Sequence, residues 1–157
     1  MARYSVTNLH AGTQQNLSTS YKTLLSLTAA TGATTLRKGW IYDVLLGADG
    51  TPADNSITYK LDRQTSVGTA TTAVGAPLDG GDAAALLEEN VNNTIEPIVT
   101  AATQFIELAV NQRASYRWVA APGGELVVPA TNVAGLGVRA KSAAYTSTTT
   151  AGVHYWE

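Results

Sequence analysis

The chain has 157 residues, 10 basic and 12 acidic, for a formal net charge of −2, and it contains no cysteine. Charged residues make up 14% of it, against about 25% in an average soluble domain, with Thr, Ser, Ala and Asn in their place. This composition excludes thiol chemistry and zinc–thiolate sites and supplies no net field for polyanions; no apolar run nears the ~20 residues that span a bilayer.

Residues 1–20 (MARYSVTNLHAGTQQNLSTS) are polar and lack the apolar core of a signal peptide. They read as an extended N-terminal arm whose few apolar side chains dock on this subunit or on a neighbour. Arg3, Tyr4, Val6 and Leu9 are the candidate partner-binding residues. Residues 21–157 are then a single domain, long enough to bury a core without disulfides. Lys22 to Thr28 reads as a first strand and Ala29 to Thr35 as a turn. Leu36 to Gly47 follows as a strand, with Trp40, Tyr42, Val44 and Leu46 on one parity. Gly47 to Asn55 is dense in turn formers. Ile57, Tyr59 and Leu61 then alternate with Thr58, Lys60 and Asp62, the signal of a half-buried strand.

Thr65 to Gly81, poor in large apolar residues, is expected to be a loop or an edge strand. Asp82 to Glu89 (DAAALLEE) predicts the one short helix, with Asp82 as its N-cap and Asn90 to Asn93 ending it. Pro97 interrupts the chain before a strand over Gln104 to Val110. Ser115 to Ala121, Glu125 to Ala130, Leu136 to Ala144 and Val153 to Glu157 complete the set, separated by Gly- and Thr-rich turns. Short strands at this spacing give a mostly-β fold, a jelly-roll-like β-sandwich or flattened barrel, rather than βαβ units.

No catalytic constellation emerges, and the expectation is a protein that is not an enzyme and takes no cofactor or metal. His10 and His154 lie at opposite ends of the sequence, with no other soft ligand nearby. Glu88 and Glu89, adjacent on a helix, would point about 100° apart. Asp43, Asp49, Asp54 and Asp62 crowd one turn and its flanks, but not at the spacing of a calcium loop, and Asx-turn capping suits Asp49 and Asp54 better. Gly135 to Ala140 matches G-x-G-x-x-A in form alone, because no strand–helix context surrounds it, and close strand packing explains those glycines. Arg113, Tyr116, Arg117 and Trp118 form the nearest approach to a basic–aromatic patch, too small to expect nucleic-acid binding. Trp40, Trp118 and Trp156 read as core or interface anchors before sugar platforms.

The stretches NQRASYRWVAAPGGELVVPATN (Asn111 to Asn132) and GLGVRAKSAAYTSTTTAGVHYWE (Gly135 to Glu157) resemble small virion proteins of tailed bacteriophages. They are similar to capsid decoration, or cement, proteins and related β-sandwich head proteins, whose last hairpin often ends in an aromatic–Glu tail like Tyr155-Trp156-Glu157. The Thr-rich opening has the same cadence. The resemblance implies a head-stabilising protein made in the host cytoplasm and fixed on the outer capsid surface. Its partners would be the major capsid protein and itself, as a homo-oligomer, most simply a homotrimer, with neither nucleic acid nor membrane involved. A tail, baseplate or head–tail adaptor protein is the alternative, and a carbohydrate-binding β-sandwich module the more distant one.

Overall fold

The structure is a computed structural model and describes residues 1–29, 36–143 and 146–157. The turn expected around residues 30–35 and the end of the strand expected at residue 144 lie outside the described residues. Twelve strands are present among those described: β1 (Arg3–Thr7), β2 (Lys22–Thr28), β3 (Gly39–Asp49), β4 (Ser56–Gln64), β5 (Thr69–Ala73), β6 (Ala76–Pro77), β7 (Glu88–Ile95), β8 (Val99–Asn111), β9 (Tyr116–Val119), β10 (Leu126–Val128), β11 (Gly135–Ser142) and β12 (Thr148–Trp156). They form two six-stranded sheets. The first runs β10-β3-β12-β1-β6, with β9 also on β3, and the second runs β5-β7-β2-β11-β4-β8. The ladders between neighbouring strands are antiparallel, which lets one face of each sheet be apolar and the other wet.

Alternation does the sorting. In β4, Ile57, Tyr59 and Leu61 are buried while Thr58 and Lys60 are half-buried. In β11, Leu136, Val138 and Ala140 turn inward, as their spacing predicts. These side chains meet Val6, Ile41, Val44, Val153 and Tyr155 of the first sheet in one core cluster. Each fully buried Leu, Ile or Val there contributes about 1.5–3 kcal/mol. The first twenty residues take part: β1 lies between β12 and β6, and Tyr4, Val6 and Leu17 are buried in this chain's own core.

Two expectations are corrected. Neither sheet closes on itself, so the fold is an open two-sheet structure and not a flattened barrel. The predicted helix over Asp82 to Glu89 is absent; no helix of any kind occurs among the described residues. Residues 82–87 are irregular, and Glu88 and Glu89 already belong to β7. An isolated two-turn helix is marginal in water, and tertiary partners claim its backbone instead. The Ala83 carbonyl accepts from the Tyr4 hydroxyl at 3.0 Å. The Leu86 and Leu87 N–H groups donate to the Glu157 carboxylate at 2.7 and 3.0 Å. Leu87 packs into the core over Gly39, where a Cβ would collide with it. Asp82 caps nothing; its own N–H donates to the Asp79 carbonyl at 3.0 Å.

Candidate functional site

The outward face of the first sheet gathers the groups with functional potential. Cross-strand register sets Ser5 of β1, His154 of β12 and Asp43 of β3 side by side. A β-bulge between His154 and Tyr155 makes Tyr42 the extra residue of β3, which re-aims the strand as bulges do. Tyr42 and Asp43 therefore both approach His154: the two rings lie 6.1 Å apart, and Asp43 Oδ2 is 3.0 Å from His154 Nδ1. Arg117 of β9 clamps the same carboxylate, donating from Nε at 2.9 and 3.1 Å and from a terminal nitrogen at 2.6 Å. Asp43 is 1% exposed, whereas the Arg117 side chain is 62% exposed and shields it. Burial pushes the Asp43 carboxyl up, but the hydrogen bonds and charges of Arg117 and His154 outweigh burial and hold it below the ordinary range.

Beside this cluster lies an open cavity of about 570 Å³, lined by Leu9, Leu45, Tyr116, Arg117, Thr150 and His154 among others. One row further along β12, Trp156 stacks on Trp40 with ring centroids 3.9 Å apart. Val127 stands across from Trp40 and Val119 across from Asp43. Leu9, Leu45, Val119 and Val127 are exposed, so the face is apolar at several points, with charge at the Asp43 cluster and at exposed Arg3 across from Trp156.

The expected contact residues separate. Arg3 and Leu9 are exposed, and Leu9 lines the cavity, while Tyr4 and Val6 face inward. Trp118 also packs against the core, leaving Trp40 and Trp156 on the surface. The four aspartates do not converge. Asp43 is held on the first sheet, Asp54 pairs with exposed Arg113 at 3.3 Å, and Asp49 accepts from the Gly50 N–H at 2.7 Å. Asp62 lies on the second sheet, 3.3 Å from Arg139 and 3.9 Å from Lys60; burial pushes its carboxyl up against the opposing pull of those two cations. Among the described residues no group of three or more His, Asp or Glu side chains could hold a metal ion.

Two features escaped the sequence reading. Asp43 was legible in principle, because a carboxylate inside the apolar run WIYDVLL needs a buried partner. The other is Glu89, expected as the last residue of the short helix. It is 3% exposed between the sheets and accepts a short hydrogen bond from the Tyr155 hydroxyl. Burial pushes Glu89 up to about 7 and raises Tyr155 as well.

No family model, no curated protein and no solved structure matches this chain.

Proposed function

We propose that this chain is a structural virion protein that decorates and stabilises a tailed-bacteriophage capsid, binding the outside of the major capsid protein lattice as a homo-oligomer. The observation that carries the reading is the outward face of the first sheet. It presents Leu45, Val119, Val127 and the Trp40–Trp156 stack on strands, with Leu9 in the turn after β1 and its one buried carboxylate already neutralised. Apolar side chains rimmed by hydroxyls dock on protein without the desolvation cost of an ion. The low overall charge supports the same reading, as does the resemblance of the segments around Tyr116 and Tyr155.

The mechanism is linkage. A clamp that binds only the mature lattice stabilises it by RT ln(1 + [L]/Kd), about 4 kcal/mol per site at a thousandfold excess over Kd. Several identical contacts per oligomer add through effective concentration. Mixing the purified chain with undecorated capsids and sedimenting the shells tests this. Co-sedimentation together with a gain in the shells' heat tolerance is expected. Failure to bind shells, or association with isolated tails instead, would transfer the protein to the adaptor reading. The half-buried Trp40–Trp156 stack on the outward face favours glycan binding as a second reading, supported only if a glycan is bound and then lost on Trp40→Ala.

A further inference from the structure

The second sheet ends at one side in the short β5 and at the other in β8, a free edge 13 residues long that carries a single charged side chain, Glu107. Strands of about 5–6 residues are typical, and exposed edges are ordinarily blunted by proline, charge or brevity. The first sheet obeys that rule: β6 has two residues and ends in Pro77, while β9 and β10 have four and three. β8 does not. Its inward row, Ile106, Leu108 and Val110, packs on the core yet stays only half-buried, because nothing among the described residues lies beyond it.

Hydrogen-bond parity shows what the edge can accept. Gln112 donates its N–H to the Asn55 carbonyl at 2.9 Å, and the register continues as Ser56 with Asn111 and Ile57 with Val110. In an antiparallel ladder, hydrogen-bonded and non-hydrogen-bonded pairs alternate. Val110, Leu108 and Ile106 therefore bond toward β4, and Asn111, Ala109 and Glu107 direct their backbone groups outward, up to the bulge at Phe105. The Asn111 carbonyl fits this, since it turns away from β4 to accept from the Ala114 N–H at 2.9 Å.

We infer that β8 pairs antiparallel with β8 of a second copy of this chain about a two-fold axis at Leu108, joining the two second sheets into one. Glu107 then exchanges backbone hydrogen bonds with Ala109 of the partner subunit, and Ile106 faces Val110 of the partner subunit. The apolar row falls on non-hydrogen-bonded pairs, where side chains approach most closely. Other registers fit less well. An axis at Glu107 sets two carboxylates directly opposite, and one at Ile106 runs the ladder into Ala102, whose φ of 57° breaks the strand. An axis at Ala109 makes the central pairs depend on Asn111, whose carbonyl is already engaged. The Glu107 carboxylate has local partners, with Lys60 across from it in the ladder and the Tyr21 hydroxyl donating to it at 3.3 Å.

The inference shares with the proposed function only the self-association of the chain. Sedimentation equilibrium of the full chain over a concentration series tests it, with three variants at exposed Ala109. Ala109→Pro removes only an outward N–H and is expected to give a monomer. Ala109→Glu places like charges opposite one another twice per dimer and should weaken association roughly tenfold, whereas Ala109→Lys meets Glu107 of the partner subunit and should match or exceed the parent. Circular dichroism of each variant confirms that the sheets survive. A monomeric or trimeric parent, or equal shifts for Ala109→Glu and Ala109→Lys, would overturn the inference. A trimer that binds shells refutes this pairing and leaves the capsid reading standing, and a dimer that ignores shells does the reverse.

Discussion

Glu89 makes the most consequential single-residue choice in this chain. Its carboxyl sits between the sheets with Tyr155, and burial moves it from 4.5 to about 7. The folded state thus holds that proton more tightly than the unfolded chain. The resulting stabilisation is full below pH 4.5, declines through the window up to about 7, and is gone above it. The span is about 3 kcal/mol, at 1.36 kcal/mol per pH unit. Urea denaturation at several pH values between 5 and 8 should show stability falling as pH rises. Glu89→Gln, which can still accept from Tyr155, should flatten that slope; equal slopes would refute the assignment. Asp43 behaves in the opposite sense. Its depressed folded value means that its contribution is present above the ordinary Asp range and is lost as pH falls. Asp43→Asn removes the anion that Arg117 and His154 share, and should cost about 2 kcal/mol at pH 7. That deficit should shrink in acid, where the native carboxylate is itself protonated.

At the scale of elements, most strands were readable, while β1 within the expected arm, β7 at the end of the proposed helix and the absence of that helix were not, for a definite physical cause. β4 and β11 announce themselves because period-2 alternation records which face is buried, and burial is the term that decides. Asp82 to Glu89 carries only helix propensity and a cap, each worth about 1 kcal/mol or less, and long-range partners outweigh both. Those partners, Tyr4 and Glu157, lie 79 and about 70 residues away in sequence, beyond any local window. Glu157→Ala should therefore release the Leu86 and Leu87 amides. Hydrogen exchange should accelerate at those two positions, with a global loss of about 1–2 kcal/mol. The site was half legible for the same reason: Asp43 could be suspected within its strand, but its pairing with Arg117 and His154 depends on which strands become neighbours. The glycines of β11 were read for packing, and Gly135 bears this out. A Cβ there would run into the Leu27 backbone carbonyl of β2, which cannot move aside as a side-chain tip could. Gly135→Ala should cost roughly 2–3 kcal/mol in chemical denaturation.

For the whole molecule, charge is scarce and what there is tends to be locally paired, as with Asp43, Asp54 and Asp62. The first sheet's outward face carries exposed apolar side chains beside Arg117, and the second sheet has an open edge at β8, so the proposed lattice contact and the proposed pairing with a second copy would use separate surfaces. This division has an ionic-strength signature. Contacts between exposed charges weaken with salt, because the Debye length falls from about 10 Å at 0.1 M to about 3 Å at 1 M. Docking through Leu45, Val119 and the Trp40–Trp156 stack has little charge to screen. Shell binding should accordingly change by less than about threefold between low and high salt. Leu45→Lys and Val119→Lys alter exposed positions and should leave stability within about 0.5 kcal/mol of the parent. Each nonetheless places an ammonium on the face that must be desolvated, so each should weaken co-sedimentation with shells by tenfold or more. A steep salt dependence, with both lysine variants binding as the parent does, would mean that the lattice is held by some other surface, and the outward face of the first sheet would lose its assigned role.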